Sequence, residues 1–237
     1  MVGGNSMEMD SKFHPTHWTL VVSASGKGAE AKGALSDLCE VYYRPVVGFL
    51  RREGRDEDEA REVAHAFFES VLQGGVGSPD PERGRFRNYL LGALKNFLSK
   101  RRDASLALKR GGEIEHVSLA ADGDFSSVPG VHDDTLAFDR EWAMTLIGRA
   151  LSILELEHEG KEHQFAILKP WLDTAGSHSQ ADAARELGMS ESAVKVAIHR
   201  LRARFRLFLR AEVAATVADP ADVADELRHL VEITSKG

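Results

Sequence analysis

The chain has 237 residues, 43% of them hydrophobic, so it can bury one large core or two smaller ones. This content excludes a disordered or fibrous protein, and the longest apolar runs are far too short to cross a bilayer. No charged-then-apolar segment resembles a signal peptide, and the single cysteine, Cys39, excludes an intrachain disulfide. We therefore expect a cytoplasmic protein, without a membrane span, whose one thiol is buried in a helical core.

The net charge of -7 is distributed unevenly along the chain. The range 83–110 holds nine basic residues and one acidic residue, and the range 179–210 holds seven basic and three acidic residues. Two basic islands in an acidic chain are typical of a protein that contacts phosphates at two separate places. Either island alone is equally compatible with a solvated helix face, but their combination favours a nucleic-acid partner.

The N-terminal extension, 1–30, contains a short apolar segment at 13–23 with two histidines, His14 and His17. Histidines three residues apart could bind a metal, but no further Cys or His lies nearby to complete a site. Packing is the favoured interpretation of this segment. We expect no metal and no cofactor in the protein.

Helical periodicity predicts a three-helix domain at 31–110. Pro45 predicts a kink or break in the first helix, because proline cannot donate the helical hydrogen bond. Asp56 is expected to cap the second helix, with Glu59 in the capping-box position. The third helix carries the first basic island on its outer side. The following range, 111–135, is rich in Gly, Asp, Ser and Pro and predicts a flexible linker.

A second helical domain is predicted at 136–210. Its most specific pattern, at 179–205, is a short helix, a turn at Gly188 and a second helix capped by Ser190. Small side chains where the two helices meet predict a helix-turn-helix and not an ordinary helical hairpin. The residues expected to be buried in it are Ala181, Ala184, Leu187, Ala193, Val194, Ala197, Ile198, Leu201 and Phe205.

In a helix-turn-helix the second helix enters the major groove, and side chains near its start face the base edges. Arginines farther along the helix are expected mainly at phosphates, including Arg204 and Arg206. The residues predicted to contact DNA here are Ser190, Glu191, Ser192, Lys195, Val196, His199, Arg200 and Arg202.

The chain resembles bacterial RNA polymerase sigma factors, of the extracytoplasmic-function group in the sigma-70 family. The resemblance covers about 31–210 and is carried by three pieces in the family's order: DEDEAREVAHAFFESVL, RGRFRNYLLGALKNFLSKRR and AARELGMSESAVKVAIHRLRARF. It implies an all-α fold of two small domains joined by a flexible linker. The domain at 31–110 would correspond to sigma region 2 and the helix-turn-helix domain at 136–210 to sigma region 4.

The resemblance implies a non-enzymatic protein that binds core RNA polymerase, recognises the -35 and -10 promoter elements and directs transcription initiation. The helix-turn-helix would read the -35 element. An acidic helix face, otherwise readable as a solvated face, would bind the polymerase through Asp56, Asp58, Glu59, Glu62, Phe67 and Glu69. The first basic island would melt and hold the -10 element through Arg83, Arg85, Arg87, Asn88, Lys95, Asn96, Arg101 and Arg102.

Several features exceed a minimal member of the family, among them the C-terminal extension at 211–237. Its apolar residues predict an amphipathic piece broken at Pro220. It is either a docking or self-inhibiting element or a helix that packs on the last domain. The sequence leaves open the promoter sequence, the activating signal and whether an anti-sigma factor or another regulator binds.

Two other classes of protein compete with this interpretation. A helix-turn-helix transcriptional regulator with a helical sensing domain explains the C-terminal half equally well, but gives no reason for the first basic island. An enzyme is disfavoured because the sequence contains no glycine-rich phosphate loop, nucleophile elbow or metal-ligand cluster.

Overall fold

The computed structural model describes residues 29–73, 85–109, 131–173 and 179–235. The regular secondary structure of these residues is helical, without a strand, which confirms the predicted all-helical class. None of their helices has the length and the apolar composition needed to cross a membrane. The expected features at 13–23, at Arg83 and in most of the linker lie outside the described residues.

The described residues form eight α-helices and two short 3-10 turns. The α-helices are α1 (Ala29–Arg52), α2 (Glu57–Leu72), α3 (Phe86–Lys109), α4 (Val131–Leu156), α5 (Glu162–Leu168), α6 (Gln180–Leu187), α7 (Glu191–Ala215) and α8 (Val223–Ser235). One 3-10 turn, Lys169–Leu172, follows α5, and the other, Pro220–Asp222, precedes α8.

Helix α1 runs unbroken through Pro45, so of the predicted kink or break the break does not occur. Proline removes one helical hydrogen bond, but Pro45 and its neighbours Val46 and Leu50 are buried against other helices. The free energy gained by burying this face of α1 exceeds the loss of one helical hydrogen bond. At the start of α2, the carboxylate of Asp56 accepts a hydrogen bond from the backbone N–H of Glu59 at 2.8 Å, which confirms the predicted cap.

One hydrophobic core joins α1, α2 and α3 to the first half of α4, the end of α7 and α8. Tyr42 of α1 stacks on Phe138 of α4, with ring centroids 6.3 Å apart. Trp142, on the same face of α4, is fully buried. Residues from both of the domains predicted at 31–110 and 136–210 therefore share this core, and α4 packs most extensively against α1.

A second hydrophobic core lies at the other end of α4. It joins Leu154 of α4 to α5, the 3-10 turn Lys169–Leu172, α6 and the first half of α7. Since α4 has 26 residues and α7 has 25, each helix is roughly 38 Å long and reaches from one core to the other.

The C-terminal extension folds back onto the first core. Helix α7 continues past the predicted domain end at residue 210 to Ala215, and the chain then turns at Pro220, where the predicted interruption is confirmed. Val213, Val217, Val223, Leu230 and Ile233 are buried in the first core. The segment is therefore packed on the first core, and this packing is compatible with the docking or self-inhibiting alternative.

Candidate nucleic-acid interface

Helices α6 and α7 are held at their ends by short-range polar contacts. The hydroxyl of Ser179 accepts a hydrogen bond from the backbone N–H of Asp182, and that of Ser190 accepts one from Ala193, each at 3.2 Å. Between the helices, Gly188 has φ +63°, in the left-handed region that favours glycine. These local signals fix where α6 ends and where α7 begins.

The surfaces where α6 and α7 meet are made of small and branched side chains. Ala183 and Ala184 of α6 are buried, together with Val194, Ile198 and Leu201 of α7. The prediction that Ala181 is buried is wrong, because α6 turns Ala183 toward the second core in its place. Four further expected residues are only half-buried: Leu187, Ala193, Ala197 and Phe205.

The first three turns of α7 and the cap before them present a continuous exposed surface, which we call the α7 face. Its members are Ser190, Glu191, Ser192, Lys195, Val196, His199 and Arg200, and all of them were predicted to contact DNA. Val196 is 49% exposed and is the apolar member of this face. A surface that combines cationic groups, hydroxyls and one apolar side chain can meet both base edges and a thymine methyl group.

Two arginines of α7 that were predicted to contact DNA form hydrogen bonds within the protein. Arg202 is half-buried and donates a hydrogen bond from Nε to the backbone carbonyl of Trp171 at 2.8 Å. Arg204 donates from Nε to a Glu157 oxygen at 3.0 Å and lies over the Phe208 ring. The Arg204 hydrogen bond lowers the pKa of Glu157 below its usual range.

Farther along α7, the basic character continues on the same side as the α7 face. Arg206 and Arg210 are exposed, and their spacing from Lys195 and His199 places all four within about 60° around the helix axis. Lys195 and Arg210 are separated by about 22 Å along that axis. This length would allow contact with several successive phosphates.

The basic residues of α3 are less exposed than those of α7, and several form ion pairs within the protein. Asn88 and Arg102 are exposed, and Asn96 is half-buried. Lys95 is half-buried and pairs with Asp134 of α4 at 3.0 Å. Arg101 is exposed and lies 3.4 Å from Glu62, so one residue predicted for DNA contacts one predicted for the polymerase.

The start of α3 departs most from the sequence prediction. Arg87, expected on the surface, is only 3% exposed, and its guanidinium lies 4.6 Å above the centre of the Trp142 ring. Arg87 and the half-exposed Arg85 both pair with Glu226 of α8. In this conformation Arg87 cannot contact nucleic acid, because α4 and α8 cover it.

Helix α2 carries the predicted acidic surface, which we call the α2 face. Asp56, Asp58, Glu59, Glu62 and Glu69 are all exposed. Phe67, predicted with them, is fully buried in the first core and contacts Phe97 edge-on, so it is not available to a partner in this structure.

A shallow groove of about 700 Å³ separates α1 from α2. Cys39 and Phe68 lie in it, with Glu40 and Glu69 among its polar residues. Burial raises the pKa of the Cys39 thiol to about 12, which agrees with the predicted inert, buried cysteine.

Sequence reasoning missed the cluster formed by Arg85, Arg87, Asp139, Glu226 and His229. Its members are up to 144 residues apart in the chain, so no local spacing predicts their contact. One signal was readable: Glu226 interrupts the apolar face of the amphipathic helix α8, where an acid is expected only if it is paired.

Among the residues that the structure describes, no group of three or more His, Cys, Asp or Glu side chains could hold a metal ion. Comparison of the chain with protein-family models found no match, and comparisons with curated proteins and with solved structures found none either.

Proposed function

We propose that this protein is a sigma factor that binds core RNA polymerase, recognises -35 and -10 promoter elements and directs transcription initiation. The observation that carries the proposal is the α7 face, an exposed row of polar and basic side chains at the start of a capped helix that follows a short helix and a glycine turn. The proposed role is non-enzymatic and uses no cofactor.

As a helix-turn-helix, α6 and α7 would place the α7 face in the major groove of the -35 element. Lys195 and His199 would reach base edges, and Val196 would contact a thymine methyl group. Arg206 and Arg210 would hold the phosphate backbone and set the register. Arg202 and Arg204 would support the helix instead, because their side chains already hydrogen bond within the protein.

Helix α3 would hold the melted strand of the -10 element. Asn88 and Arg102 are exposed and therefore available for this contact, and Arg83 belongs to the same predicted set. A single strand is bound through its phosphates and through stacking on flat side chains, so a basic helix suits the task. The sigma-like order of acidic helix, basic helix and helix-turn-helix supports this assignment.

The α2 face would bind core polymerase. Four of its exposed carboxylates, at 58, 59, 62 and 69, lie along one side of a helix whose other side is buried, and Asp56 caps the start of that helix. These four can meet a basic surface without disturbing the core. Charge complementarity of this kind increases the association rate and orients the partner.

A transcriptional regulator that binds a duplex operator without polymerase is the second candidate. One observation favours it: Lys95, Arg101 and Arg87 are ion-paired within the protein, which leaves fewer free cations on α3 than the sequence predicted. Such a protein would use the α7 face alone.

Transcription in vitro separates the two candidates. Full-length protein and bacterial core RNA polymerase are mixed with a library of promoter fragments, and start sites are mapped. We expect co-purification with the polymerase and initiation at a defined subset of fragments. Glu69→Lys on the α2 face should weaken the association, whereas Glu159→Lys, an equal charge reversal at an exposed turn, should not. Duplex binding without polymerase association would support the regulator and contradict our proposal.

A further inference from the structure

Glu226 is a buried carboxylate on α8 that pairs with two arginines at the start of α3. It is only 2% exposed, and it contacts the guanidinium groups of both Arg85 and Arg87. Arg85 retains 43% of its side-chain exposure, so it lies at the rim of the contact, whereas Arg87 lies inside it. One acid on the C-terminal helix thus pairs with two of the cations predicted to bind nucleic acid.

Other polar contacts hold α8 in place around this pair. Asp139 of α4 lies 3.0 Å from Nε of Arg87 and accepts a hydrogen bond from Nε2 of His229 at 2.7 Å. Arg140 donates from Nε to the backbone carbonyl of Ile233 at 3.4 Å. The contact surface of α8 is therefore polar at its centre, with apolar residues around it.

This polar centre is difficult to explain by stability alone. Burying charged groups costs several kcal/mol per ion, and replacing a buried ion pair by apolar residues of similar volume is often neutral or stabilising. Carboxylate and phosphate oxygens bind guanidinium groups with similar geometry. Glu226 therefore occupies Arg85 and Arg87 as a phosphate would.

We propose that α8 is an autoinhibitory element: Glu226 takes the place of a nucleic-acid phosphate at Arg85 and Arg87, and α8 must detach before the start of α3 can hold DNA. This proposal rests on the proposed function, which assigns the start of α3 to the melted promoter strand. Helix α8 has 13 residues, near the lower limit for an isolated helix, so it should lose its helical structure when it detaches.

The test is Glu226→Gln in the full-length protein, with Glu232→Gln as its matched control. Both changes remove one negative charge from α8, but Glu232 is exposed. A fluorescent single-stranded oligonucleotide serves as the probe. We expect Glu226→Gln to tighten binding about threefold to tenfold over the control. The slope of log K against log salt should be steeper by about 1.4, as expected for two additional phosphate contacts.

A double variant identifies the arginine responsible. In Glu226→Gln with Arg85→Ala, most of the gain in affinity should disappear, because the half-exposed cation that Glu226 released is no longer present. Because Arg85 belongs to the proposed binding surface, Arg85→Ala alone should weaken binding, but by less than it does in the Glu226→Gln background, where Glu226 no longer occupies that side chain. Equal binding by the Glu226→Gln and Glu232→Gln variants, both folded by circular dichroism, would overturn the autoinhibition.

If Glu226→Gln does not fold, hydrogen exchange of the unmodified protein tests whether α8 detaches when nucleic acid binds. Saturating oligonucleotide should speed amide exchange in α8 while α1 stays protected. Unchanged or slower exchange in α8 would overturn the proposal. Failure of the proposed function looks different, since the wild-type chain and every variant would then fail to bind core polymerase, whatever Glu226→Gln does to oligonucleotide binding.

Discussion

Arg202 reaches back from α7 and donates a hydrogen bond from Nε to the backbone carbonyl oxygen of Trp171, 31 residues earlier, at 2.8 Å. Trp171 lies in the 3-10 turn Lys169–Leu172, which packs under α7 in the second core. Carbonyl groups in such short turns often lack a helical partner, so a charged donor from another element satisfies one of them. This contact links the predicted DNA-binding helix to the element that supports it.

Arg202→Ala should therefore lower the free energy of unfolding, by about 1.5–3 kcal/mol, the usual contribution of a hydrogen bond from a charged group. Urea denaturation followed by circular dichroism measures this change. Arg200→Ala is the matched control, because Arg200 is exposed on the same helix and its loss should change stability by less than about 0.5 kcal/mol. Equal stability of the two variants would show that the Trp171 contact contributes nothing.

Local sequence signals predicted the helices of this fold well but not how the helices pack. Asp56 and Ser190 could be identified as caps because Asp and Ser are preferred residues just before a helix. In the structure each accepts a hydrogen bond from the backbone N–H three positions later. The contact between Tyr42 and Phe138 joins residues 96 positions apart, and helical periodicity shows only that each faces some core. The shared core of the two predicted domains could therefore not be read from the sequence.

The candidate site was predictable to the extent that it depends on helix geometry. Lys195 and His199 point away from the buried stripe of α7, as their spacing requires. Arg202 lies at the edge of that stripe, and its long side chain bends back toward a carbonyl that periodicity cannot reveal. The charge of Arg87 predicts exposure, whereas in the structure Arg87 is buried and pairs with two distant acids, Asp139 and Glu226.

Replacing each of two glycines by alanine should change the stability of the protein in opposite directions. Gly188 has a positive φ, so Gly188→Ala should destabilise the protein by about 1 kcal/mol although its added methyl group meets no atom within 4 Å. Gly148 lies within α4 and also has free space around it, so Gly148→Ala should stabilise the protein by about 0.5–1 kcal/mol. Thermal unfolding measures both changes, and the same sign for both would contradict this account.

Lys195→Ala should weaken binding to a cognate promoter duplex by about 1–3 kcal/mol, because Lys195 lies at the centre of the exposed α7 face. Fluorescence anisotropy with cognate and scrambled duplexes measures the effect. Thermal stability should stay unchanged, in contrast to Arg202→Ala. An equal loss of affinity on both duplexes would assign Lys195 to the phosphate backbone instead of a base.

Cys39 should resist alkylation in the folded protein. Its thiol is buried in α1, and burial raises its pKa from 9.0 to about 12, so at pH 8 its thiolate fraction is roughly a thousandfold smaller than in the unfolded chain. Above pH 9 the unfolded chain loses this proton first, so the thiol's contribution to stability should decline as the pH rises toward 12. Mass spectrometry after iodoacetamide treatment, with and without urea, measures the difference in rate. Because Cys39 also lies in the groove between α1 and α2, rapid alkylation without urea would mean that this groove opens to the first core in solution.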